Sequence, residues 1–499
     1  MAVPIAIPLP GETLTASDLL REVEQESGIS RDSPDFAAYL DEHDSLASFR
    51  DQFNVPKDIY FGAHALGPAP KKALELLQQE ADAWATVGTK GHTEHPYDRP
   101  WVATDVRNIE TMADIVGALP SEVIYCSGLT MNLHMLLQSF YRPTSSRFKI
   151  IYEFDAFNSD RFALASQVQL WDLDLATTLI GVRARQGERL IRREDILAAL
   201  DEHGQETCLV MFGAVNWCSG QLLDVPLITS YAHAKGCMVG WDIAHGVGAV
   251  EFRLHDWNVD FAVWCTYKYL CAGPGATAAF FVHKRHNESG RNRCSGWWGN
   301  DLASRFITVP GFKAREGAGG WVLSNPSVFG TVPLHASLAI FEQVPARVKA
   351  GSSSGRMPIA NGHPSKDDQY SVATYIMPPL RKKGRLLTAY LEYLLTSEGS
   401  VDGATRSIEL TILSPANVEE RGSTLAVLFR YPPRSPDYQE QIDQTTYSAA
   451  LNKVITHLKA NKIPVDTRAP DLVRLSPAPL YNTFEEVRRM AMILRDGLK

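Results

Sequence analysis

The chain has no surplus of positive charge, no CxxC pair, no apolar run of membrane-spanning length and no internal repeat. Each of these gaps removes a class of function. There are 49 lysines and arginines against 57 acidic residues, a formal net charge of −8, whereas a nucleic-acid binder carries a basic surplus or stripe. The Arg381-Lys382-Lys383 cluster reads as the solvated face of a helix. A spanning helix needs roughly 20 apolar residues, and no such run is present, so neither nucleic acid nor membrane is an expected partner. The opening MAVPIAIPLPGETL is apolar in part, but it has no basic n-region and its prolines interrupt any helix, so it reads as an arm and not as a signal peptide. The seven cysteines (Cys126, Cys208, Cys218, Cys237, Cys265, Cys271 and Cys294) are odd in number and mostly set in apolar segments. That pattern suits reduced thiols in the cytoplasm better than a disulfide framework. His92 and His95 form an H-x-x-H with no third ligand in view, so no metal is expected.

What is present is an ordinary globular composition, 45% hydrophobic and 21% charged over 499 residues. At roughly 100–200 residues per domain, about two to four domains are expected. Residues 1–55 read as an N-terminal helical arm, with Ser17 as N-cap of a first helix and a second helix over Pro34–Phe53. Over 56–345, apolar runs at Lys149–Phe154, Cys208–Phe212, Met238–Trp241, Phe261–Cys265 and Thr277–Val282 alternate with helical patterns such as Arg192–Glu202 and Pro226–Lys235. Buried strands alternating with helices predict an α/β fold built on a mainly parallel sheet covered on both faces. Residues 346–370 read as a flexible insertion, because Ala350–Gln369 has almost nothing to bury. Residues 371–499 read as a smaller C-terminal α+β domain. Its elements are a helix over Ser371–Ser397 broken or bent near Pro378-Pro379, strands at Glu409–Leu413 and Thr424–Arg430, and a helix over Tyr447–Asn461.

Two of the apolar strands end in reactive residues. Cys237–Trp241 runs into Asp242-Ile243-Ala244-His245, and Phe261–Cys265 runs into Thr266-Tyr267-Lys268. In open α/β sheets, ligands sit beyond the carboxyl ends of the strands, so Asp242 and Lys268 are expected to face one crevice. A lysine and a carboxylate so placed suit pyridoxal 5'-phosphate (PLP): the amine forms a Schiff base, and the acid keeps the pyridine nitrogen protonated. The same residues also read as a helix N-cap and a strand-end surface charge. Ser127-Gly128-Leu129-Thr130, ahead of a helical run, suits a phosphate through backbone N–H groups and the Thr130 hydroxyl, although an ordinary N-cap has the same pattern. Gly273 and Gly275 are expected to permit close backbone approach after the lysine.

The segments GLTMNLH, DAFNSD, GWDIAHGVGAVEFRLHDWNVDFAVWCTYKYLCAG, GWWG, LSNP, EERG and RLSPAPLYNTFEEV, in order from about Val55 to Leu498, resemble those of kynureninase. The resemblance implies a type I PLP-dependent transferase-like fold, with a large PLP-binding domain around a seven-stranded, mainly parallel sheet. It also implies a homodimer with sites at the subunit boundary and a cytoplasmic role in tryptophan catabolism, the kynurenine pathway and NAD biosynthesis. It makes Lys268 the Schiff-base lysine, Asp242 the partner of the pyridinium nitrogen with His245 beside it, and Phe157 the aromatic stacked on the cofactor ring. Asn158, Ser159 and Asp160 belong to the same cofactor-contacting run. Leu129, Thr130, Gly213, Tyr267, Trp297 and Asn325 complete the implied cofactor set, with Trp297 reaching in from the partner subunit. Arg474 is implied to grip the substrate α-carboxylate, while His92, Ser324 and Asn325 lie near the substrate's aromatic amine. Tyr267, adjacent to the lysine, is the expected proton-transfer phenol. The implied reaction is hydrolysis of the Cβ–Cγ bond of L-kynurenine or 3-hydroxy-L-kynurenine, giving an anthranilate and L-alanine.

The pattern departs from the family in four places. The family's G-N-S-L-G reads Ala63-His64-Ala65-Leu66-Gly67, Gly213 stands in place of a serine, and Cys218 stands in place of a tyrosine. The loop GHTEHPYDRPW around His92 is about two residues longer than usual. An alternative reading therefore keeps PLP but assigns a modified kynurenine or another γ-substituted amino acid. A silent scaffold is a third reading, opposed by the intact lysine, aspartate and arginine.

Overall fold

The computed structural model describes residues 13–57, 59–287, 290–308, 310–351, 374–397, 407–432 and 447–499. The larger sheet is built from β1 (Val123–Tyr125), β2 (Lys149–Glu153), β3 (Leu179–Val182), β4 (Thr207–Gly213), β5 (Met238–Asp242), β6 (Phe261–Trp264) and β7 (Ala279–Val282). These seven strands lie in the order β1-β7-β6-β5-β4-β2-β3. Strands β2 to β6 pair in parallel, and only β7 runs against its neighbours β1 and β6. The unbroken apolar runs follow from burial on both faces. In β4, Leu209 and Met211 join one core cluster while Val210 and Phe212 join the other, as a two-residue side-chain period requires. The sequence reading of a mainly parallel, two-faced sheet matches this architecture.

A second, antiparallel sheet contains β8 (Glu409–Ile412), β9 (Leu425–Arg430), β10 (Asp466–Arg468) and β11 (Leu472–Leu475), in the order β8-β9-β11-β10. Its core unites the two ends of the chain. Leu19, Leu20 and Phe36 pack with Leu387, Tyr390, Leu451, Val487 and Met490. The helices Ala16–Ser27 and Pro34–Glu42 thus lie on Met377–Thr396 and Phe484–Asp496.

Several local expectations are corrected. The first helix is capped by Thr15, not Ser17: Thr15 Oγ1 accepts the Asp18 N–H at 3.2 Å and Asp18 answers in a capping box. The second helix ends at Glu42 instead of reaching Phe53. Asp44 Oδ1 accepts the Leu46 N–H at 2.9 Å and turns the chain into a 3₁₀ segment over Ala47–Gln52. The helix expected to bend at Pro378-Pro379 instead begins at Met377, because in a first turn the missing proline N–H costs nothing. A helix covers Val344–Gly351, and the rest of the expected insertion, from residue 352 on, lies outside the described residues.

Candidate active site

Parallel strands present their carboxyl ends on one side of the sheet. The register sets Gly213 beside Asp242 and Asp242 beside Val263. Beyond these ends lies a cavity lined by Leu129, Thr130, Glu153, Ala156, Phe157, Ser159, Asp160, Gly213, Val215, Trp217, Asp242, Ala244, His245, Tyr267 and Lys268. Lys268 leaves β6 in a loop fixed by neighbours: the Cys271 N–H donates to the Lys268 carbonyl at 2.9 Å, and the Gly67 N–H to the Tyr267 carbonyl at 2.8 Å. Close backbone approach occurs at Gly67, where an added Cβ would lie 2.4 Å from the Lys268 carbonyl oxygen. Gly273 and Gly275 have open space around them and serve instead through positive φ values of 87° and 70°, a correction to their expected role.

Of the residues singled out in the sequence, Leu129, Thr130, Phe157, Ser159, Asp160, Gly213, Asp242, His245, Tyr267 and Lys268 meet in this cavity. Asn158 does not line it, being the exposed first residue of the Asn158–Leu170 helix. Ser324 and Asn325 are exposed and do not line it within this chain, nor does His92, which meets Trp101 edge-on at 5.3 Å. Trp297 is also exposed, its Nε1 donating to the Arg305 carbonyl at 2.7 Å. His95 is buried and bonded to Glu80 at 3.0 Å. A different group, Glu122, His255 and His283, converges elsewhere. Its carboxylate already accepts from His255 at 2.9 Å and from the N–H groups of Lys284 and Leu119 at 2.8 and 3.0 Å.

Burial governs the charges in the cavity. Asp242 is raised by burial and opposed by Lys268, and its Oδ1 accepts the Ala244 N–H at 2.7 Å. That bond closes a turn, and no helix lies between β5 and β6, so the helix-cap reading of this aspartate is not realised. Asp160, beside it, is pushed well above the usual carboxyl range by burial and then by the charge of Asp242, so a proton is held between the two acids. Burial holds His245 well below its ordinary value, with the Lys268 charge adding to the effect, so its imidazole is neutral. Tyr267 is raised by burial and by neighbouring Cys265.

Four further participants, Glu153, Trp217, Asp466 and His64, are not singled out by sequence reasoning. Glu153, buried at the end of β2, is pushed up to about 7 by burial although the Asn216 side-chain amide donates to it. Trp217 stands edge-on to Phe157 at 5.7 Å and donates Nε1 to the Asp155 carbonyl at 2.9 Å. Asp466 of β10 is joined to Arg474, the arginine expected from the sequence, which is buried in β11 with a bond to the Trp217 carbonyl and is not among the residues that line the cavity. His64 lies 3.5 Å from Asp466, brought to about 4 by burial. No motif announces Glu153 or Asp466, and the one cue to His64 was its place in the altered Ala63–Gly67 stretch.

The donor set fits an aromatic, phosphorylated cofactor. Phe157 exposes a flat face. The helix over Leu129–Phe140 starts at Gly128 with no side-chain cap, leaving N–H groups for an anion, and the Thr130 and Ser159 hydroxyls stand 2.5 Å apart beside it. Among the described residues, His245 Nδ1 and Asp160 Oδ1 are buried without a hydrogen-bond partner, as groups awaiting a ligand would be.

Residues 59–293 match the Aminotransferase class-V family, and residues 380–494 match the Kynureninase C-terminal domain. The chain is 39% identical to a kynureninase of Myxococcus xanthus, over 93% of this chain and 97% of that protein. It is 36% identical to the kynureninase of Mus musculus, over 96% of each, and 36% identical to kynureninase 2 of Aspergillus terreus, over 94% and 96%. Among solved structures, a cysteine desulfurase of Thermococcus onnurineus superposes with a TM-score of 0.64 at 14% identity, covering 90% of this chain and 97% of its own. One of Escherichia coli gives 0.63 at 16%, covering 91% and 98%. These two likenesses concern the fold.

Proposed function

The chain belongs to the kynureninase family, and from that premise we propose how its own residues carry the family reaction. The reaction is hydrolytic: the Cβ–Cγ bond of L-kynurenine or its 3-hydroxy form breaks, the oxygen of water stays on the aryl carboxylate, and L-alanine leaves. When bound, PLP supplies an aldehyde for amine capture and a protonated pyridine ring that withdraws electrons. Lys268 would hold the cofactor through its amine and, when free, would move the substrate's α-proton. Asp242 would hold the ring nitrogen as an anion, with the proton of the acid pair kept on Asp160. Phe157 would cover one ring face, and the helix start at Leu129 with Thr130 and Ser159 would hold the phosphate. Arg474 takes the substrate α-carboxylate. Tyr267, whose phenol keeps its proton, exchanges protons beside Lys268.

The observation that carries this assignment is the meeting of Lys268, Asp242, Asp160 and Phe157 around one cavity. Incubation with L-kynurenine is expected to give fluorescent anthranilate and alanine in equal amounts. Lys268→Ala is expected to lose the borohydride-trapped cofactor and at least ~10²-fold in rate. A yellow, PLP-loaded protein that releases no anthranilate, or a Lys268→Ala variant that still traps the label, removes the assignment. His92, Ser324, Asn325 and Trp297 are assigned to sites completed by a second copy of the chain, because they lie outside the cavity of a single chain.

A second reading has one observation in its favour. A Cβ at Gly213 would meet nothing nearer than 3.7 Å, so the cavity has spare room where the family carries a serine. A substrate larger than kynurenine on that side would use the space. A panel of ring- and N-modified kynurenines decides the matter, and plain kynurenine outpacing every analogue counts against the second reading.

A further inference from the structure

Arg474 is tightly held before any substrate arrives. A guanidinium has five N–H donors in a fixed plane. Here Nε donates to Asp466 Oδ1 at 3.2 Å, Nη2 donates to Asp466 Oδ2 at 2.9 Å, and Nη1 donates to the backbone carbonyl of Trp217. These bonds leave one N–H on each terminal nitrogen, a pair that a carboxylate can bridge with two parallel bonds. The sheet builds this arrangement, because Asp466 and Arg474 are register partners on adjacent antiparallel strands and therefore share one face. On its other side Arg474 faces Ala426, too small to compete for the guanidinium.

The charge count has the same consequence. Asp466 also accepts from Arg468 Nη1 at 2.6 Å, so one carboxylate serves two guanidinium groups. His64, fully buried beside it, has no hydrogen-bond partner on either ring nitrogen among the described residues. One positive charge is left over, matched to a single carboxylate.

We propose that Asp466 is a positioning residue for substrate recognition, clamping Arg474 by its Nε–Nη2 edge so that the two free N–H groups meet the α-carboxylate of the amino-acid substrate. The proposal rests on the reading of Arg474 given above. It differs from a role in charge balance alone, because a pure counter-ion, once removed, would leave a more positive site that binds carboxylates more tightly.

The test compares L-kynurenine with its α-carboxamide on the PLP-loaded enzyme, measuring kcat and KM separately for wild type, Asp466→Asn, Asp466→Glu and Arg474→Gln. Asp466→Asn keeps the shape and removes the paired acceptors, while Asp466→Glu keeps the charge and misplaces the clamp. In both, the preference for acid over amide is expected to fall roughly tenfold to a hundredfold, through KM for the acid, with KM for the amide moving less than about threefold. A preference that is unchanged or raised in either folded variant, or that falls through kcat alone, overturns the clamp. Arg474→Gln separates the two levels. If the preference survives there, the assignment of Arg474 itself fails; if it collapses there but persists in Asp466→Asn and Asp466→Glu, only the clamp fails.

Discussion

Gly67 and Gly213 both lie close to the chemistry, yet a methyl group would cost very different amounts at the two positions. At Gly67 a Cβ would sit 2.4 Å from the Lys268 carbonyl oxygen and 2.5 Å from Cys271 Sγ, so the loop that carries the lysine would have to move. Gly67→Ala is expected to destabilise by about 1–3 kcal/mol and to lower kcat, read by urea unfolding and steady-state assay. At Gly213 the nearest contacts are ordinary, so Gly213→Ser is expected to stay within about 1 kcal/mol of the parent. Equal losses at both sites would refute this contrast. Glu153 allows a pH test. Burial raises its carboxyl from 4.5 to about 7, so across that window the folded protein binds more protons than the unfolded chain. Its contribution to stability is therefore full below 4.5 and is lost as pH rises to about 7. Without cofactor, the parent is expected to lose stability relative to Glu153→Gln over this range; parallel curves would mean that the carboxyl titrates normally.

Among the elements, the C-terminal helix Phe484–Asp496 shows how distant segments depend on one another. Asp41, at the end of the second helix, accepts the N–H groups of Phe484 and Glu485 at 2.8 and 3.0 Å. It thereby supplies a capping carboxylate from the opposite end of the chain, alongside the helix's own Thr483. Asp41→Ala is expected to cost about 1 kcal/mol, measured by urea unfolding, and no loss would show that solvent satisfies those donors equally well. This pairing also marks what the sequence made legible. The strands of the large sheet could be read because burial on both faces leaves continuous apolar runs, and Asp242 and Lys268 could be read because they end two of those strands. The turn at Asp44 could not, since it rests on one side-chain bond inside a helical-looking stretch. Glu153, Trp217 and Asp466 carry no local signature. Their significance comes from strand register and from neighbours up to some 250 residues away, as between Trp217 and Arg474.

At the scale of the whole molecule, several large apolar side chains face water. Met131 and Phe162 are 64% and 65% exposed, and they sit on the helices that carry Thr130 and Asp160 into the cavity. Trp297 packs edge-on against exposed Phe306 at 5.6 Å, and Trp84 against Phe329 at 6.2 Å. Large apolar side chains left facing water suit an association site, and in the dimer proposed above a second copy of the chain would cover them. A charge buried at such an interface without a partner is costly. Phe162→Arg is therefore expected to shift sedimentation from dimer to monomer at micromolar concentration while leaving the far-ultraviolet dichroism unchanged. Because His92, Ser324, Asn325 and Trp297 stand outside the cavity of their own chain, the monomer should also lose at least about tenfold in kcat/KM. A monomeric variant that retains full activity would show that one chain completes the site alone and would return those four residues to the surface.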